Sequence, residues 1–575
     1  MERLFNAKGE LIVSGIHPGK GNTQIPLWAD GSNVLFKDDS VKVGPQQSLI
    51  FTKPTGLLGN GIISVDNQGS PAVVWGTRRS LFKGISPPLS VNVSGGVTIF
   101  NDLDNDSTNW NDTASTLSDV STPTAPGSSD SMKAEAVGAK FIIFDRDLAA
   151  GSTDFTNNVL TFWIYADTTI HGDLRIGDAI QVQLSSVLGG ASDWAQFDLP
   201  ASVLPLANEF FRLEIDTNVT PNVTSGSPDL AAILNVRFAI VTDSVQVAPA
   251  TIFIDELGLG GFYTGTDLDR WSIVQFGQSI LASNGVDPIQ YLASITSGLF
   301  QNINDAGANL PTTFRANILH KLGPFVIAFN TDNDNTEARW CSEDNVLEWL
   351  PIPRNSARDI NLRDMNSDIK AVTEFGDSLM VIGHGRAHVF QFIGAPLFFG
   401  AKKLIDGIGA VGKNAVTEGG RLIYGFAANG IYVTDGTTKQ YIDEPDIHKF
   451  IYEDEFMRYD TSRAELTAIW DDTNDGEIYF SYPTIDGRGT TISFNPVLQV
   501  WAKHDYWRTA AAAGNLWDAP ILLSEAGDIW IQNEEGAGST FEVAPLGMRN
   551  LLKFDIGMGD GAMGESFYGG ENVYP

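Results

Sequence analysis

Short runs in which apolar and polar residues alternate recur along most of the chain, and they read VDNQGSPAVVWG, VQFGQSILAS, HKLGPFVIAF, TEFGDSLMVI, TEGGRLIYGF, TNDGEIYFSY and SEAGDIWIQN. A period of two is the pattern of a half-buried strand, and the glycine in the middle of each run predicts a hairpin turn. The turn glycines are Gly69, Gly277, Gly323, Gly376, Gly420, Gly476 and Gly527. From Gly277 onward they are spaced by 46, 53, 44, 56 and 51 residues, the length of a four-stranded propeller blade. Between Gly69 and Gly277 the gap is 208; taking out residues 97–260, 164 in number, leaves 44, so the period predicts an insertion there. Units continue into further alternating strands such as GRAHVFQF, GIYVTDGT and TTISFNPVLQVWAKH, rich in aromatic and β-branched residues.

The predicted fold is all-β: a β-propeller of about seven blades with an inserted β-sandwich of jelly-roll type. Residues 1–96 hold N-terminal strands and the first blade, 97–260 the sandwich, 261–536 the remaining blades, and 537–575 a Gly- and Met-rich arm that fits no blade. Glu10 to Leu49 is expected to complete the last blade and close the ring, which removes exposed sheet edges.

Composition narrows the functional classes. Fifty-eight Gly, 26 Pro and 19% charged residues suit strands joined by turns, so helices should be scarce, and 43% hydrophobic residues over 575 suffice for more than one core. The single Cys341 excludes a disulfide framework within the chain and a Cys-rich zinc site, and is expected to be a reduced, inert thiol. No run of 18 apolar residues occurs and Met1 to Asn6 lacks a signal-peptide pattern, so synthesis in a cytoplasm is expected. A net charge of −33, from 70 acidic and 37 basic residues, leaves no basic footprint for phosphates and argues against ordinary nucleic-acid binding. Its simplest consequence is solubility.

The insertion differs in texture: between Val97 and Gly260 there are 22 acidic and 6 basic residues, nearly half of the net charge. Its strands VLTFWIYAD, DAIQVQLSS, WAQFDLP, FFRLEID, NVRFAIVTD and ATIFIDELGLGG are short and divided by polar turns, the pattern of a sandwich. In that order the segment resembles the jelly-roll family of carbohydrate-binding and galactose-binding-like modules.

Outside the insertion, four segments resemble the tail nozzle or stabilisation proteins of short-tailed bacteriophages. They are IPLWADGSNVLFKDDSVKVGPQQS (Ile25 to Ser48), ARWCSEDNVLEW (Ala338 to Trp349), IDGIGAVGKNAV (Ile405 to Val416) and FAANGIYVTDGT (Phe426 to Thr437). Asn414 stands where that family commonly has Ser, and the large sandwich is an addition to its pattern. The resemblance implies a structural virion protein and not an enzyme. It implies a hexameric ring at the distal end of the DNA-ejection channel, below the head-to-tail adaptor ring, and a platform for tail fibres or spikes. An acidic wall there would repel the passing viral DNA. The alternative is a glycan-binding or glycan-hydrolysing propeller with an accessory sugar-binding module, for which a host surface glycan is the partner.

Other chemistry is sparse. Gly407, Gly409 and Gly412 form G-x-G-x-x-G, but the following KNAVTEGGRLIYG predicts strands, not the helix that would hold a phosphate. Ser342, Asp344 and Trp349 resemble the Asp-box hairpin of sialidase propellers, a folding element. His384 and His388 fall in turn and strand, no metalloprotease spacing occurs, and there is no nucleophile elbow or Walker loop. With 70 acidic residues, some carboxylate pair will lie at hydrolytic separation by chance. No cofactor is required. Asp102, Asp104 and Asp106 alternate at the start of the insertion and Asp255 lies in its last strand, a hard-oxygen set suited to a structural Ca²⁺, against the simpler account of a solvated acidic loop. Trp194 in SDWAQF is the candidate for stacking on a pyranose, against core packing, while Trp163 alternates with Phe162 and Tyr165 on an expected core strand and is read as packing.

Overall fold

The computed structural model describes residues 34–533 apart from 52–57, 93–97, 102–109, 124–129 and some shorter stretches. Seven four-stranded antiparallel sheets and one larger sheet account for most of it. The first of the seven runs from Gly59–Asn67 to Leu89–Asn92, the second from Ser272–Phe276 to Gln301–Asn302, and the third from Ala316–Leu322 to Arg358–Asn361. The fourth runs from Ala371–Phe375 to Phe398–Asp406, the fifth from Val416–Gly419 to Lys439–Tyr441, and the sixth from Ala468–Asp472 to Val500–His504. The seventh takes Arg508–Ala512, Ile521–Ser524 and Ile529–Asn533 from the end of the described chain and its outermost strand, Gln46–Phe51, from the beginning. First strands of successive sheets lie side by side in cyclic order, and the seventh returns to the first. This is the strand order and closure that the propeller expectation calls for, with the N-terminal strand pairing from Gln46–Asn533 to Phe51–Ile529.

The turn glycines explain the regularity. All seven take positive φ, from 57° to 87°, which side chains with a Cβ rarely adopt. Six sit between the first and second strands of their sheets. Gly527 does not: it joins the second and third strands of the seventh sheet, and its spacing from Gly476 matches the period although the hairpin differs. The ring's core lies between adjacent sheets, as where Trp349 and Cys341 fill the space between the second and third. Burial pushes the Cys341 thiol up to about 12, and its Sγ accepts from the Val326 amide at 3.1 Å, so it is a packing group and not a nucleophile.

Two cations close one end of the ring. Arg270, fully buried ahead of the second sheet, donates to Gly59 O and Asn60 Oδ1 of the first sheet, both at 2.9 Å, and to Thr509 O of the seventh. Lys413, ahead of the fifth sheet, reaches across the axis to Arg270 O (2.5 Å) and to Asn317 O of the third sheet (2.7 Å). Carbonyls that converge at a ring centre lack strand partners, and these side chains satisfy them.

The larger sheet folds into two layers because two long strands, Ser131–Asp147 and Asn235–Leu259, pass from one layer into the other. Their pairing shifts register three times between Glu135 and Phe141, where Gly138 takes φ +89°, and the strands bend there. One layer holds Val159–Ala166 and Phe210–Asp216 beside residues 252–259; the other holds Ile180–Ser185, Trp194–Leu199 and Val223–Ser225 beside residues 235–240. Phe144, Phe162, Ile164, Phe197 and Phe238 fill the space between, with Phe162 and Phe238 edge to face at 4.8 Å. This sandwich follows the first ring sheet, to which it is tied by the Ser80 hydroxyl donating to the Glu214 carboxylate. Among the described residues the α-helices are short, such as Pro445–Tyr452, and no helix is long and apolar enough to cross a membrane.

Candidate functional site

The second layer of the sandwich has an outer face built by strand alternation. Along Ile180–Ser185, residues Val182 and Leu184 enter the core, so Gln181, Gln183 and Ser185 point outward; along Trp194–Leu199 the outward set is Trp194, Gln196 and Asp198. Cross-strand register then sets these residues in rows. Asp147, Asn235, Ser185, Trp194 and Ser225 lie opposite one another across five strands, and Asp145, Arg237, Gln183 and Gln196 form the row beside them.

The rows are hydrogen-bonded into a fixed polar layer in which Asn235, Ser185 and Gln196 are buried and Trp194, Gln183, Arg237, Asp145 and Asp198 are partly exposed. Asn235 Nδ2 donates to Asp145 Oδ1 at 2.7 Å and Asp147 Oδ1 at 3.0 Å, Gln183 Nε2 to Gln196 Oε1 at 2.7 Å, and Gln196 Nε2 to Asp198 Oδ1 at 2.6 Å. Arg237 stands between Asp145 and Gln183 and buries its Nε without a hydrogen-bond partner among the described residues. Trp194 is half-buried, and its opposite neighbours on both adjoining strands are serines, so its row leaves the indole without a large cover. A surface of this kind offers carboxylate acceptors, amides and a guanidinium beside an aromatic plane. Sugar hydroxyls, each donor and acceptor, and the apolar face of a pyranose fit that chemistry.

Of the residues singled out from sequence, Trp194 therefore lies on this face. Trp163 does not: it is buried in Val159–Ala166, with Nε1 donating to Glu256 Oε2 at 3.0 Å, as expected of a core strand. Asp255 is fully buried opposite Trp163, and its Oδ1 accepts from the Glu256 amide at 2.8 Å. Asp102, Asp104 and Asp106 lie outside the described residues, and among the described residues no group of three or more His, Cys, Asp or Glu is placed to hold a metal ion. Arg237, Gln183 and Gln196 were not singled out from the sequence, although alternation in DAIQVQLSS and WAQFDLP marks the two glutamines as outward-facing.

No protein-family model and no curated protein matches the chain. Solved structures similar to it include carbohydrate-binding modules and glycoside hydrolases. One is the family 11 carbohydrate-binding module of the cellulosomal cellulase Lic26A-Cel5E of Clostridium thermocellum, 14% identical, covering 29% of this chain and 95% of that one at a TM-score of 0.20. Another holds the CBM22-1 and GH10 modules of the C. thermocellum endo-1,4-β-D-xylanase 10B, 10% identical over 29% of this chain and 28% of that one, with a TM-score of 0.19. A third is an extracellular domain from B. thetaiotaomicron, 11% identical over 48% of this chain and 34% of that one, with a TM-score of 0.32.

On the ring, the first strands of the fifth and sixth sheets each carry a carboxyl with a raised pKa. Burial, and then the neighbouring Asp472, pushes Asp471 up to about 6, while burial and Glu374 raise Glu418. The Asp-box segment is a turn whose tip, Glu343 and Asp344, is exposed over a covered indole: Trp349 is fully buried and its Nε1 donates to Val346 O at 2.6 Å, and Asp344 takes φ +54°. Gly407, Gly409 and Gly412 lead into the strand Val416–Gly419, and His388 lies in the strand Arg386–Gly394.

Proposed function

We propose that this chain is a non-catalytic glycan-binding protein, in which the ring is the scaffold and the outer face of the inserted sandwich takes the sugar. The observation that carries this reading is the pair of cross-strand rows that set Trp194 beside Arg237, Gln183, Gln196 and Asp145 on one hydrogen-bonded surface. A face already ordered before a ligand arrives loses little side-chain entropy on binding. On a glycan microarray the full chain is expected to give saturable signal with at least one glycan, and Trp194→Ala to weaken it by about tenfold or more, equivalent to about 1.4 kcal/mol. Equal signal from both proteins would overturn the assignment of the face.

A second reading concerns where the protein works. The segments resembling the phage tail-nozzle family fall on the ring and its N-terminal hairpin, Val34–Lys37 with Ser40–Val43, and not on the sandwich. In that setting the ring is a virion component assembled in six copies below a tail adaptor, tail fibres attach to it, viral DNA passes along the axis between copies, and the sandwich meets a host surface glycan. Negative-stain images of the purified chain mixed with an adaptor ring are expected to show six-fold assemblies; a monomer under all conditions would remove this placement.

A further inference from the structure

We infer that the groove running outward from the ring axis between the third and fourth sheets docks an extended peptide that carries basic residues beside an aromatic or large aliphatic one. The groove and the axial mouth into which it opens, lined also by Ile63 of the first sheet, Gln275 of the second and Ala512 of the seventh, together enclose about 1070 Å³, at the upper end of what small-molecule pockets occupy. Its lip is made by an overlong hairpin. The second strand of the fourth sheet, Ser378–Ile382, pairs with residues 387–390 only, so Gln391 to Gly394 continue beyond it and pair with the fourth strand alone. That extension carries Phe392 over the groove, 55% exposed yet fixed by Phe325 at 6.0 Å and Phe399 at 5.6 Å between ring centroids.

An aromatic held in place but half uncovered is a preformed apolar anchor site, and the groove's charge names its partner. Glu343, Glu374 and Asp377 line it with exposed carboxylates, against the one ammonium of Lys321. The field is felt by neighbours: Glu374 adds to the raising of Glu418 on the next sheet. A cationic segment gains from these carboxylates while its apolar side chain covers Phe392, and an acidic segment is repelled. The inference is independent of the sugar-binding face, which lies on the sandwich.

The test is fluorescence anisotropy of the full chain with two labelled pentapeptides, Lys-Lys-Phe-Lys-Lys and Glu-Glu-Phe-Glu-Glu. The lysine peptide is expected to bind saturably, to weaken at least tenfold with Phe392→Ala and with the double substitution Glu343→Gln and Glu374→Gln, and to be unaffected by Asp305→Asn, which removes an exposed carboxylate on the second sheet's side. The glutamate peptide is expected not to bind. All three are surface changes, and unchanged melting curves verify folding. Absence of saturable binding, or binding weakened equally by Asp305→Asn, would overturn the proposal, the latter because it reports only the chain's net negative charge.

Discussion

Replacing Arg270 by alanine is expected to destabilise the ring by about 2–5 kcal/mol, from buried neutral acceptors left unsatisfied at about 1–3 kcal/mol each. The guanidinium is fully covered and satisfies Gly59 O, Asn60 Oδ1 and Thr509 O, which belong to the first and seventh sheets. Its own backbone carbonyl accepts from Lys413, so the same residue links the fifth sheet to the second. Truncation removes the guanidinium donors from Asn60 Oδ1 and Thr509 O where water has no easy access, at the junction where the two ends of the ring meet, while Gly59 O keeps the Thr509 hydroxyl as a donor at 2.8 Å. Arg270→Lys is expected to recover only part of the loss, because one ammonium cannot span the three acceptors in the planar geometry of a guanidinium. Differential scanning calorimetry reads the effect as a lowered ring transition, with the sandwich transition, if separate, unmoved; a variant that melts with the wild type would contradict the structural role.

The second large effect is a pH dependence carried by Lys413. Burial drives its ammonium down from 10.5 to about 7; Glu465 opposes this, Arg270 adds to it, Asp269 opposes, and Lys370 adds. Between about pH 7 and 10.5 the unfolded chain therefore keeps a proton that the folded chain has released, and stability rises with pH through that window. Below it the folded ring carries a buried ammonium at full cost. A shift from 10.5 to about 7 corresponds to at most about 5 kcal/mol. The expected result is that wild type gains stability relative to Lys413→Met as pH rises from 7 to 10, measured by urea denaturation at each pH. Parallel pH profiles for the two proteins would show that Lys413 does not titrate on folding.

These two residues also show what the sequence could not reveal. Turn glycines at blade-length spacing exposed the ring, because each must occupy positive φ between strands, and the excess gap exposed the insertion. The match of Gly527 to that series is partly chance: its turn closes a different hairpin, and eight residues separate the first strand of the seventh sheet, Arg508–Ala512, from the second, Ile521–Ser524. Arg270 in LDRW and Lys413 in VGKN lie between periodic segments, where a solvated loop and a buried closure look alike. Only the convergence of several sheets on one axis gives those cations their acceptors. The candidate site was legible one strand at a time. Trp194, Gln196 and Asp198 alternate visibly, but Arg237 is some forty residues away and joins them through register, which periodicity does not encode. Clustering of Asp102, Asp104 and Asp106 suggested a cation from spacing alone, and those residues lie outside the described part of the chain.

The central claim is that the outer face of the sandwich binds a glycan. Its most direct test is a crystal or cryo-electron microscopy structure of the full chain with the glycan that gives the strongest array signal. The account predicts a pyranose ring stacked on Trp194 with hydroxyls within hydrogen-bond distance of Arg237 and the Gln183–Gln196 pair. A glycan seated in the ring's axial groove, or on any surface away from Trp194, would contradict it.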